Sequence, residues 1–429
     1  MTQGRRTRRF RPQLLLGIGC LLLAILLNPW TLESYVVLDG HLDKTWRVLT
    51  VEVLLFAAGA WMVFRALRAP ARTERHSRRH FAFGVLGLVL ASLFVAASAE
   101  LALRFLASPL AVLEGDAWWA YLWRADRSER PEDGGLSYAH DRYDAALGWR
   151  PVPDYDRDGI RTNSLGIRAD REFAFERDPT VARIVAVGDS YTWGEHTFSR
   201  QIDNRQTYPA VLEHLLPETE VLNLGVHGWG TDQQYLYLTS LGLRFQPDLV
   251  ILGFYEYNLE RNDASFFNYA KPRFLLEDGE LLLTGSPVPP PDEILAEPLR
   301  FPSFYLAAFV RKRVDRMLDQ TKLRPIETRR AWRVTRAILE AARRETEATG
   351  AHFLLVYIPH EIGRWATAVE TAVVDWSEQT GTHLLNLRPV FASRPEADWN
   401  ELYDGHWTAK GHAVAAEAVR DYILDAALL

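Results

Sequence analysis

At 429 residues with a formal net charge of -6, the chain is long enough for one large domain with attachments, and its charge gives no general sign of nucleic-acid binding. A single cysteine, Cys20, excludes any disulfide within the chain. Cys20 lies inside an apolar run, so the cellular compartment has to be read from other features.

Three apolar stretches come first, at residues 12–30, 46–64 and 81–107. A helix needs roughly 20 apolar residues to cross ~30 Å of hydrocarbon, and each stretch approaches or passes that length. Three transmembrane helices are therefore expected over residues 1–107. Arg5, Arg6, Arg8, Arg9 and Arg11 precede the first, while Arg65, Arg68, Arg72, Arg75, Arg78 and Arg79 crowd the connection between the second and third. The other connection mixes Glu33, Asp39 and Asp43 with Lys44 and Arg47. The arginine excess puts the N-terminus and second connection in the cytoplasm, and everything beyond Ala107 outside it, in the periplasm where an outer membrane exists. "GIGC" has the superficial look of a lipoprotein processing site, but Gly17 suits such a site poorly and no polar sequence follows. An orientation signal explains the arginine-rich start as well as a twin-arginine signal does, so retained anchors are expected. Glu52 can reach the interface or Arg47, and Glu100 stands four residues before Arg104, as a helical ion pair requires. Intramembrane charge is also a functional hint, so both readings stay open.

Residues 108–180 are rich in Asp, Arg, Pro and Gly, with aromatic islands "AWWAYLW" and "LGWRPVPDYD". They read as an irregular lead-in packed across the following domain. The first island also suits the headgroup region of a membrane.

From residue 181 onward, short apolar runs such as "ARIVAVG", "EVLNLG", "PDLVILGFY", "AHFLLVYIP" and "HLLNL" alternate with longer amphipathic segments. Continuous short runs suit strands buried on both faces, and the segments between them suit covering helices. The expectation is a three-layer α/β/α fold with a mainly parallel sheet, filling residues 181–429. Its active site would collect at the carboxyl ends of the strands. The rhythm breaks at about 262–328, an insertion read as a hairpin turning near Asp278 and Gly279, a proline-rich segment and a helix from about Ser303 to Gln320. It would act as a lid or as support for the membrane-proximal face.

The strand ends carry the chemistry. "GDS" places Ser190 after Gly188 and Asp189, which suits a nucleophile but equally a helix cap. "NLGVHGWG" offers Gly225 in a glycine-rich turn whose amide can approach a substrate oxygen. "GFYEYNLERND" supplies Asn258 near the end of a third strand, and "YDGHW" brings Asp404 and His406 just ahead of the last helix. Together they make a serine, an amide donor, an asparagine and an acid-histidine pair.

These blocks resemble the SGNH (GDSL-like) hydrolase family over roughly residues 182–428, and the "LGWRPVPDYD" lead-in is similar to that of its membrane-anchored members. The resemblance implies Ser190 as nucleophile, His406 as general base, Asp404 as its orienting acid, and an oxyanion hole from the Ser190 and Gly225 amides and the Asn258 side chain. Two departures stand out. Leu259 follows Asn258 where the family has Asp, with the literal "ND" later at Asn262 and Asp263; Asp404 lies two residues before His406 rather than three. Asn258 fits a strand end better than Asn262. The two-residue spacing resembles membrane-associated enzymes that add or remove acetyl groups on exported polysaccharides.

His196, His227, His360 and His412 lack metal-ligand spacing and read as structural or solvated, so neither a metal nor another cofactor is expected. Glu256 either tunes the pocket or packs in a salt bridge. Trp193, Trp229 and Trp407 adjoin the blocks and can stack on a sugar or fill a core. The sequence thus reads as a membrane-anchored serine esterase acting on acyl or acetyl esters of envelope or exported glycans. An O-acyltransferase, or a non-catalytic glycan-binding or envelope-assembly protein on the same fold, are the alternatives.

Overall fold

A computed structural model describes residues 45–68, 78–129, 138–197, 200–320, 326, 329–360 and 366–429, together with 14, 17–21 and 24. The expected first span, 12–30, therefore lies largely outside the described residues. The chain divides into two units: residues 1–114 with 300–321, and residues 115–299 with 322–429.

In the first unit, Thr45–Arg68 and Arg78–Leu106 are single helices. Among the described residues one helix is long and apolar enough to cross a membrane. Its Val89–Leu106 window has mean hydropathy 1.8 and is only 6% buried. Phe94 and Phe105 stand exposed on it. Glu100 pairs with Arg104 at 2.7 Å, and its carboxylate also accepts the N–H groups of Tyr305 (3.0 Å) and Leu306 (2.7 Å). It thereby satisfies orphan donors at the start of the Tyr305–Gln320 helix, a structural use of the charge. Lys312 holds the same helix by donating to the carbonyls of Leu110 and Leu113.

The second unit is built on a five-stranded parallel sheet. Its strands are β1 (Ala182–Gly188), β2 (Thr219–Gly225), β3 (Leu249–Tyr255), β4 (His352–Ile358) and β5 (His383–Asn386), in spatial order 2-1-3-4-5. This is the doubly wound, flavodoxin-type order. Side chains alternate across a strand, and that alternation sorts the core into two layers. Val185, Val187, Val250, Leu252 and Leu355 pack on one face with Leu238, Leu339 and Val373 from covering helices. Ile184, Ala186, Ile251, Leu354 and Val356 pack on the other with Leu212, Ala416 and Val419. Because both faces are covered, the strands read as unbroken apolar runs.

The lead-in is part of the core. Trp149 is 1% exposed; its indole donates to His227 O at 3.1 Å while Trp229 donates back to Trp149 O at 3.2 Å. Within the "AWWAYLW" island Trp123 is buried against Phe266 and Tyr269, and Trp119, half-buried, lies 4.0 Å from Phe267. The expected hairpin is present, Arg273–Glu277 pairing with Glu280–Thr284 around Asp278 and Gly279, both at positive φ. Residues 262–328, read from sequence as one insertion, are shared out: those before 300 belong to the sheet-bearing unit, and 300–321 to the first.

Candidate active site

Ser190 opens the four-residue helix α1 (Ser190–Trp193) directly after β1. Asp189 caps that helix, its carboxylate accepting the Tyr191 N–H at 3.1 Å. The Ser190 N–H, at the first helical position, has no partner inside the helix. Ser190 Oγ lies 2.9 Å from His406 Nε2, across 216 residues of sequence. His406 is carried on a tight two-strand ladder, where Asp404 is its Cα partner across Gly405. Its ring rests on that of Tyr191, with centroids 4.8 Å apart. Tyr191 O–H donates to Tyr403 Oη at 3.3 Å, so the residue after the nucleophile also braces the histidine strand.

Asn258 begins helix α2 (Asn258–Asp263) just beyond β3 and is fully buried. Its Oδ1 accepts from Arg261 at 3.0 Å, whereas Nδ2 is a buried donor with no partner among the described residues. Such a donor costs free energy in the resting protein and suits a site where negative charge develops during reaction. Asn262, the alternative in the sequence, has both ends of its amide engaged: Oδ1 by the Asp232 N–H and Nδ2 by Thr335.

Arg261, which sequence reading passed over, joins three blocks through one guanidinium nitrogen. Nη1 donates to Asp189 Oδ2 (2.9 Å), Trp229 O (3.1 Å) and Asn258 Oδ1 (3.0 Å). It fixes which end of the Asn258 amide faces away from the arginine. Burial lifts the Asp189 carboxyl to about 6, against the opposing pull of Arg261. The available signal was the i, i+3 spacing of Asn258 and Arg261 on one helical face.

Gly225, expected as an amide donor, has its N–H engaged in this structure. Its N–H is taken by Asn223 Oδ1 at 3.0 Å, and an added Cβ would sit 2.2 Å from Trp193 N. The residue is glycine because α1 lies directly on the end of β2. Three residues on, Gly228 turns the chain at φ +73°, and its N–H makes no hydrogen bond among the described residues.

Trp193, Trp229 and Trp407 are at most 2% exposed and fill the core, Trp407 stacking on Phe391. The exposed aromatic beside Asn258 is Tyr257, 40% exposed, whose ring is stacked 5.9 Å from Tyr255. His412 is buried and accepts the Tyr208 N–H; His360 bonds Tyr255 Oη at 2.6 Å. Glu256 accepts the His360 N–H at 3.4 Å, at the margin of hydrogen bonding. His227 is buried against Asp141, and the His196 side chain lies outside the described residues.

The strand-end blocks thus meet on a 2-1-3-4-5 sheet. That order is the doubly wound, flavodoxin-type one. No family profile matches the chain, and no curated protein does. Similar solved structures include a lipolytic protein of the G-D-S-L family from Desulfitobacterium hafniense, 14% identical over 56% of this chain and 99% of the other, with TM-score 0.32. The psychrotrophic esterase EstA from Pseudoalteromonas sp. is 14% identical over 57% of this chain and 98% of its own, with TM-score 0.32. An acetyl xylan esterase is 13% identical over 56% and 99%, with TM-score 0.33.

Proposed function

We propose that the chain is a serine esterase that hydrolyses acyl or acetyl esters through an acyl-enzyme. The 2.9 Å approach of Ser190 Oγ to His406 Nε2 carries this reading. His406 takes the hydroxyl proton as Oγ attacks the ester carbonyl, and Asp404, its cross-strand Cα partner, is the acid assigned to stabilise the protonated imidazole. The oxyanion is met by the Ser190 N–H and Asn258 Nδ2. His406 then returns the proton to the departing alcohol, and water, activated by the same histidine, releases the acid. If a sugar hydroxyl replaces water, the same site is an O-acyltransferase.

The N-terminal helices anchor this enzyme with its active site outside the cytoplasm, a reading supported by the arginine distribution and the exposed apolar surface of the Arg78–Leu106 helix. Esters on envelope or exported glycans are then the accessible substrates. Activity is tested with an activated acetyl ester on the purified full chain, with and without glycan acceptors. Ser190→Ala and His406→Ala should each remove turnover, and full activity in both would reject the mechanism. Protease accessibility in sealed vesicles tests the orientation.

A further inference from the structure

Behind the nucleophile helix lies a second cluster that the esterase reading does not use. His140 and Asp141 come from the lead-in, at the start of the Asp141–Asp144 strand, and His227 comes from the turn after β2. One ligand atom from each lies within 4.8 Å of the others. All three residues are buried: His140 is 5% exposed, and the His227 and Asp141 side chains are 3% and 2% exposed.

A hydrogen bond accounts for only part of the cluster. His227 Nε2 lies 2.5 Å from Asp141 Oδ2, which satisfies one nitrogen and one oxygen. His140 Nε2 and Asp141 Oδ1 are buried and have no partner among the described residues. Buried polar atoms are ordinarily paired, so two in one small cluster point to a missing ligand. A cation accepts lone pairs from imidazole and carboxylate together; a water donating two hydrogen bonds does so too, and the metal titration below separates the two.

We propose that His140, Asp141 and His227 bind a divalent transition-metal ion of the zinc class. Two imidazoles and a carboxylate form a mixed nitrogen and oxygen donor set suited to zinc and its neighbours more than to calcium or magnesium, which favour all-oxygen sites. Glu195, 3% exposed and hydrogen-bonded by Tyr138 at 3.1 Å, is a further buried acid outside this three-residue group. The ion's role is to staple. His140 stacks at 5.3 Å, nearly parallel, on Trp193, the last residue of α1. His227 immediately precedes Gly228 and accepts the Trp149 indole N–H. One bound ion would therefore fasten the lead-in to the nucleophile helix and the glycine turn.

The test uses the full chain in detergent, carrying a tag without histidine and purified without chelator. Metal content by mass spectrometry should be close to one zinc-class ion per chain. After chelation and dialysis, Co2+ should titrate in with visible ligand-field absorption, Zn2+ should displace it, and both should raise the melting temperature. His140→Ala and His227→Ala should weaken Co2+ binding by roughly tenfold or more, whereas His352→Ala, at the exposed start of β4, should not. The wild-type titration stands even where a variant folds poorly. Wild-type protein that takes up no stoichiometric Co2+ or Zn2+ and melts identically with metal or chelator would overturn the proposal. Undiminished binding in both folded histidine variants would do the same.

Discussion

Replacing Asn258 by alanine should separate catalysis from stability. In the resting protein the side chain is fully buried, its Oδ1 receives a hydrogen bond from Arg261, and its Nδ2 is unpaired. Losing a charge-assisted bond costs about 1.5–3 kcal/mol, and removing an unsatisfied buried donor returns about 1–3 kcal/mol. Arg261 keeps Asp189 and the Trp229 carbonyl, so the two changes nearly cancel and the melting temperature should move little. In the transition state only the loss counts. An oxyanion donor is worth about 2.7–4 kcal/mol, so kcat should fall ~100–1000-fold with KM almost unchanged. Steady-state hydrolysis of an activated acetyl ester, beside thermal melts of the same preparations, measures both. Asn258→Asp, with similar shape and no donor when ionised, should be equally slow. A kcat within about threefold of wild type in well-folded Asn258→Ala would refute the assignment.

Arg261→Met leaves the buried Asp189 carboxylate without its partner and should destabilise by about 3–5 kcal/mol, read in denaturant melts. Arg261→Lys should recover part of the stability but little of kcat, because a lysine does not reproduce the planar guanidinium. Gly225→Ala puts a methyl against the Trp193 backbone and should lower the melting temperature and Ser190 labelling by a fluorophosphonate together, in contrast to Asn258→Ala. Asp189 also predicts a pH dependence. Its folded value of about 6 exceeds the ordinary 3.8, so between those limits the folded chain holds a proton that the unfolded chain has released. Its contribution to stability therefore declines as pH rises from about 4 to about 6. Asp189→Asn should lack that component in melting curves recorded across the window.

The sheet was legible because a strand buried on both faces must be apolar throughout, as "ARIVAVG" and "PDLVILGFY" are. Ser190 and His406 were legible because their chemistry is scarce and sits at strand ends. The packing role of Gly225 was not legible because a glycine that admits a neighbouring helix looks, in sequence, like one that admits a substrate. The tryptophans stayed open between sugar and core for a related reason: proximity to a catalytic block says nothing about which way a ring points. Arg261 was hidden because its three acceptors lie as much as 72 residues from it in sequence, and one of them is a backbone carbonyl that no motif records. His140 and Asp141 were missed because they meet His227 only after the lead-in folds back.

The bridging arginine has an evolutionary corollary. With one cation serving the acid beside the nucleophile, the glycine turn and the third-block asparagine, positions 189, 258 and 261 form a single heritable unit. A lineage that moved the basic residue elsewhere would have to neutralise position 189 in the same step, or reach it through a poorly folded intermediate. Among relatives, variation at these positions should come in matched sets.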